Sequence, residues 1–159
     1  MKKMVEIFDR WNLKKQQISL QSKQISFKER EIFFIKICQN IGVETNGKGE
    51  EFLRPVLVYK KFNNSMFLGI PLSTKFKEGR FYYNFKYKAD VTSIAVLSQV
   101  KVFDAKRLKY KSGVISKDDF IKLHLKLLKL ITPQEIEGSP EGINMKELYH
   151  KKEIVANDK

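Results

Sequence analysis

The stretch RPVLV at residues 54–58 sets an arginine and a proline at the head of a run of strand formers. Proline fixes its own φ, lacks an N–H and pushes the residue before it into an extended backbone. It therefore belongs at a strand start or edge, and Arg54 belongs to a loop–strand junction with its side-chain direction largely set. Taken alone, such an arginine reads as a solubilising charge at a strand end. PVLVYKK (55–61) continues as a strand and FNNS turns the chain. MFLGIPL (66–72) follows as the next strand. STKFKEG is a polar loop with a turn at Glu78-Gly79. RFYYNFKYK (80–88) alternates aromatic and polar residues, as a half-exposed strand does. SIAVL (93–97) and QVKVF (99–103) are two more short strands, and DAKRL makes one helical turn.

Upstream, EIFFIKIC (31–38) reads as a first strand, and QNIGVETNGKGEEFL (39–53) as a long loop with glycines at 42, 47 and 49. Met4, Ile7, Phe8 and Trp11 share helical spacing over residues 3–18. That is a short amphipathic helix, which caps the domain or binds a partner. Residues 19–29 are polar and read as a linker. SKDDFIKLHLKLLKLI (116–131) is the last element. Ser116 is its N-cap, Asp118 and Asp119 face the helix dipole, and Phe120, Leu123, Leu127, Leu128 and Ile131 form one face. From residue 134 the chain is polar and reads as a flexible tail. Five or six short strands closed by a helix predict an α+β domain, a small, strongly bent antiparallel barrel. The expected division is 1–29 for the helix and linker, 30–131 for the barrel and 132–159 for the tail.

The net charge is +13 over 159 residues. Residues 30–131 carry 20 lysines and arginines against 9 acids, a net of +11, whereas 132–159 carry 4 against 6. A basic folded region points to a polyanion, nucleic acid before membrane, with a lysine-rich surface as the plain alternative. No apolar run approaches a membrane span, and the N-terminus does not read as a secretory signal. Cys38 is the only cysteine, so no disulfide forms within the chain, in keeping with a reducing cytoplasm. The two histidines, His124 and His150, offer no metal spacing, and no phosphate-loop, dinucleotide or hydrolase motif is present. Glu50-Glu51 and Asp118-Asp119 read as solvated surface. Without metal or imidazole, chemistry falls to Arg, Ser, Thr, Lys and Tyr.

EIFFIKI, NIGVE (40–44), RPVLV, IPLSTK (70–75) and SIAVLSQVKVFDAKRL (93–108), in that order and at those intervals, resemble the MazF/PemK (Kid) family of toxin endoribonucleases over about residues 30–131. The resemblance implies an SH3-like barrel and a homodimer. It also implies metal-independent and cofactor-free cleavage of single-stranded RNA, with the 2′-hydroxyl attacking the adjacent phosphate. A cognate antitoxin would neutralise the protein, and operator DNA would be reached only through the antitoxin complex. Arg54 matches the arginine that stabilises the phosphate, and its planar charged fork suits two phosphate oxygens. Ser73 falls where the family has threonine, with Thr74 beside it; these three are the expected catalytic residues. Gly42 and Glu44 match a Gly-x-Glu before the arginine, and Gln99 the glutamine after the fifth strand. With Lys48 and Lys75, beside these motifs, they form the expected substrate-binding set. Two departures stand out: the loop from Glu44 to Arg54 is longer than in short members, and Ser98 stands where several have an acid. Two other readings remain: a non-catalytic SH3-like nucleic-acid-binding module, and a toxin of the same fold acting on a protein such as gyrase. Tyr82, Tyr83, Phe85 and Tyr87, among lysines, are the candidate base-stacking aromatics, with barrel packing as the alternative.

Overall fold

The computed structural model describes residues 2–22, 25–88 and 91–133. Helix α1 (Lys2–Ser19) precedes seven strands: β1 (Glu31–Lys36), β2 (Leu53–Lys61), β3 (Met66–Ser73), β4 (Tyr82–Lys88), β5 (Val91–Val96), β6 (Lys101–Asp104) and β7 (Leu108–Val114). Helix α2 (Lys117–Ile131) closes the described chain, and 3-10 turns occupy Leu97–Gln99 and Ala105–Arg107. All pairings are antiparallel, in the order β4-β5-β3-β2-β1-β7, with β6 also paired to β3. The sheet curls into the bent half-barrel that the strand count and short turns predict.

The curl buries both faces of the central strands. Val56, Leu57 and Val58 are all fully buried. Side chains alternate across a strand, so Val56 and Val58 enter one core with Phe33, Ile35, Phe67 and Phe103. Leu57 enters the other with Ile32, Ile70, Leu72 and Phe85. Two cores explain why β2 reads as an unbroken apolar run rather than an alternating one. Helix α2 lies over the second core through Leu123 and Leu127, with Phe120 and Leu130 packed beside them. Its N-cap is Ser116, whose hydroxyl accepts from the Asp119 N–H at 3.0 Å. Leu128 is half-buried and Ile131 is exposed, so the buried face is turned from the one the spacing suggested.

The outer strands meet through side chains. The Tyr87 ring lies across Gly113, where a Cβ would stand 2.4 Å from it, and its hydroxyl is 3.2 Å from Ser112 Oγ. Strand β7 escaped the sequence reading because it is mostly polar and only Leu108 is fully buried, and its pairing with β1 is twice interrupted. The segment read as a linker carries Phe27, which is buried in the first core. At its end, the Arg30 Nη2 donates to the Ile115 carbonyl at 2.8 Å. Helix α1 caps the barrel rather than standing off it: Trp11 and Ile18 are buried against Phe52. Met4, Val5 and Phe8 are exposed.

Candidate active site

The site begins where two prolines unzip a ladder. Strand β2 pairs with β1 from Leu53 onward, but its pairing with β3 starts only at Val56 opposite Pro71. Pro55 and Pro71 have no N–H to offer, so the ladder cannot continue past them. Beyond that point β3 changes partner, and Leu72 and Ser73 pair with Ala95 and Ile94 of β5. The split leaves the Leu72 carbonyl facing Arg54, whose Nη1 donates to it at 3.2 Å. Arg54 Nε donates to the Asn46 carbonyl at 2.6 Å. An arginine precedes a proline here because the proline opens the sheet and the guanidinium fills the opening. Burial lowers the Arg54 pKa from its ordinary value, and arginine still remains charged.

Two clefts meet at this split. One, of about 410 Å³, is walled by Phe34, Pro55, Leu72 and Tyr110, with Lys48 and Thr74 at its rim. The other, of about 710 Å³, is lined by Glu44, Asn46, Lys75, Lys77, Tyr82, Ser98 and Gln99. Lys48, Arg54 and Ser73 line both. Seven of the eight residues expected from sequence, Arg54 among them, therefore line one or both of these clefts. Gly42 lines neither cleft; with φ of +58° it turns the chain between Ile41 and Glu44. Glu44 is exposed, and its Oε2 accepts from the Ile41 N–H at 3.3 Å. Ser73 Oγ accepts from the Lys75 N–H at 3.2 Å, which occupies an oxygen lone pair and leaves the hydroxyl proton to donate. Gln99 Oε1 accepts from the Thr45 N–H at 3.0 Å, tying the loop before Arg54 to the turn after β5.

The 39–53 loop is ordered by its own contacts. Asn40 Nδ2 donates to the Thr45 carbonyl, and the Asn40 N–H donates to Asn46 Oδ1. Lys48 and Leu53 exchange both backbone hydrogen bonds, at 2.9 and 3.0 Å, and close a small hairpin. Gly47 packs against the Phe52 carbonyl so closely that a Cβ would lie 2.0 Å from its oxygen.

Sequence reasoning missed the aromatic pair of the first cleft. Phe34 and Tyr110 stack at 5.1 Å between centroids, and Tyr110 is half-exposed. The pair was hidden because Tyr110 lies on the unrecognised β7. Of the aromatics singled out on β4, only Tyr82 lines either of these two clefts, with Lys77 Nζ 5.2 Å from its ring centre. Phe85 is buried, and Tyr83 and Tyr87 pack beside it. Tyr83 donates to Asp119 Oδ1 at 2.9 Å, and burial with that carboxylate pushes its hydroxyl up to about 12. Neither acidic pair is plain surface: Asp119 takes this bond, and Glu51 takes Lys14 Nζ at 2.7 Å. His124 lines neither cleft and bonds the Tyr59 hydroxyl. His150 and the tail lie outside the described residues. Among the described residues, no three His, Cys, Asp or Glu side chains gather as metal ligands. No described helix is long and apolar enough to cross a membrane.

The profile of the PemK-like, MazF-like toxins of type II toxin–antitoxin systems matches residues 28–131. The chain belongs to this family. Among curated protein sequences it has no match. Its fold is similar to that of MazF from Deinococcus radiodurans, at 16% identity and a TM-score of 0.57, over 67% of this chain and 96% of that one. The MazF of a MazE–MazF complex from the same organism gives 14% and 0.53, over 67% and 95%. An endoribonuclease in complex with its cognate antitoxin, from a mycobacterial species, gives 11% and 0.51, over 68% and 98%. These likenesses place the curled sheet and two helices in the MazF-like α+β fold.

Proposed function

We propose that this toxin is an endoribonuclease that cuts single-stranded RNA at Arg54 without a metal. One observation carries the reading. Arg54, Lys48 and Ser73 line two adjoining clefts, and the guanidinium between them is held by two carbonyls. The 2′-oxygen bonds to phosphorus as the bond from phosphorus to the 5′-oxygen breaks. The 2′-hydroxyl loses a proton and the 5′-oxygen gains one, leaving a 2′,3′-cyclic phosphate and a 5′-hydroxyl. Negative charge grows on the phosphate oxygens in the transition state. The Arg54 N–H groups not turned to carbonyls, the Ser73 hydroxyl and the Lys48 and Lys75 ammoniums are the cationic and donor groups there. A pre-aimed donor of this kind costs no reorganisation during reaction. Ser98, on the second cleft, supplies no carboxylate at its own position, and the donors around the guanidinium act electrostatically. The Phe34–Tyr110 pair offers a face on which a base can stack.

A cognate antitoxin is proposed as the neutralising partner, supported by the antitoxin complexes among proteins of this fold; operator DNA would be reached only with it. A homodimer is proposed through the outer row of α2. Phe120, Leu123 and Leu127 are spent on the barrel, whereas Ile121, Leu125 and Ile131 are exposed. The proposed location is the cytoplasm. The test is purified protein with mixed-sequence RNA in EDTA, followed by end-group analysis. Cyclic-phosphate and 5′-hydroxyl ends that persist in EDTA support the reading. Binding without cleavage would replace it with a non-catalytic nucleic-acid-binding module.

A further inference from the structure

Helix α1 lies before the segment that the family profile matches, yet it packs against the loop that leads into the site. Trp11 is 8% exposed and meets Phe52 edge-on, with centroids 5.2 Å apart. The Arg107 guanidinium stands 5.7 Å from the Trp11 ring centre. Three residues on, Lys14 grips Glu51. At the end of the helix, Lys106 Nζ donates to the Ser19 carbonyl at 2.9 Å. Glu51 and Phe52 close the hairpin whose other side, Lys48 and Gly49, lines the first cleft. Phe52 sits at φ of +51°, which a bulky side chain adopts only when its surroundings hold it there. Its carbonyl accepts from the Ile37 N–H at 3.0 Å and lies against Gly47. The next residue back, Asn46, gives the carbonyl that holds Arg54 Nε.

We propose that α1 is a brace for the active-site hairpin, and that Trp11 is a positioning residue acting through Phe52 and the Gly47–Asn46 backbone on Arg54. The proposal rests on the reading of Arg54 as catalytic. Trp11 touches neither cleft, so its effect is on placement. The longer loop between Glu44 and Arg54 and the added helix then form one device: the loop supplies Glu51 and Phe52, and the helix pins them.

The test uses the full chain as wild type, Trp11→Ala and Trp11→Phe, with two readouts. Hydrogen exchange over residues 44–54 reports the hairpin without reference to activity. RNA cleavage in EDTA reports kcat and KM. In Trp11→Ala, exchange of the hairpin amides should rise at least about tenfold while β3 and β5 keep their protection. The kcat should fall roughly 10–100-fold, the scale of a misplaced catalytic group, with a smaller change in KM. Trp11→Phe, which keeps a ring on Phe52, should recover most of both. Unchanged hairpin exchange in Trp11→Ala overturns the brace. A loosened hairpin with unchanged kcat overturns the positioning role. If wild type cleaves no RNA, the endoribonuclease reading fails and exchange alone still decides the brace. Should Trp11→Ala not fold, Lys14→Gln, which removes only the grip on Glu51, makes the same comparison.

Discussion

Replacing Arg54 separates what the side chain does for the fold from what it does for the reaction. From its place at a loop–strand junction, Arg54→Ala is expected to leave folding nearly intact. The structure revises that expectation. The guanidinium is half-buried and donates to the Asn46 and Leu72 carbonyls across the split in the sheet. A hydrogen bond from a charged group contributes about 1.5–3 kcal/mol net. With partial solvent access on this site, two such bonds amount to about 2–4 kcal/mol. A domain of this size is stable by about 5–15 kcal/mol, so the alanine variant should remain mostly folded but melt measurably lower. Loss of one donor aimed at a developing oxyanion costs about 10²–10³ in rate. Unfolding alone would need to leave about one molecule in a hundred folded to imitate that loss, an unfolding free energy near −2.7 kcal/mol. The two effects are thus distinguishable in one preparation. Thermal melts by circular dichroism give the folded fraction, and cleavage of a fluorogenic RNA in EDTA gives the rate. Arg54→Lys should also be impaired, because one ammonium cannot hold both carbonyls and still face the phosphate. A loss below about tenfold in folded Arg54→Ala, or a loss that the unfolded fraction accounts for, would refute the reasoning.

Ser73→Ala should lower the cleavage rate by roughly tenfold, less than the loss at Arg54, because its single hydroxyl donor is neutral; adding Thr74→Ala should deepen the loss if the neighbouring hydroxyl substitutes, and steady-state kinetics of both variants decide it. Tyr110→Ala should weaken RNA binding by roughly 5–150-fold, the worth of about 1–3 kcal/mol per stacked base, in an anisotropy titration. Gly47→Ala should lower the melting temperature and the rate together, since its Cβ would stand 2.0 Å from the Phe52 oxygen and the hairpin must move. The Lys14 hydrogen bond, followed by burial in the opposite sense, leaves the Glu51 carboxyl below the usual carboxylate range. Its contribution is therefore complete above the unfolded value, about 4.3, and is lost as pH falls through the lower folded value. Emission from Trp11, the only tryptophan, should report that acid loosening, and Glu51→Gln should show it already at neutral pH.

What the sequence could show follows from how local each signal is. The residues 56–58 are apolar because each belongs to one of two cores, and that is visible as a strand without knowledge of either core. Ser116 caps α2 within its own turn, so the helix start was legible too. Strand β7 is polar because solvent covers most of it, and only its pairing with β1 makes it a strand. Phe27 looks like part of a linker until the curl brings it beside Phe67, at 5.1 Å between ring centres. The same distinction runs through the site. Pro55 announces that a ladder ends, and the sequence places Arg54 at that end. It does not reveal that Pro71 faces the same break from β3, that the Leu72 carbonyl is left there for the guanidinium, or that Asn46 returns from a distant turn to hold the other nitrogen. The arginine was legible from its neighbour, whereas its aim depends on three segments far apart in the chain. The 39–53 loop, read only as long and glycine-bearing, is the element through which that aim is set.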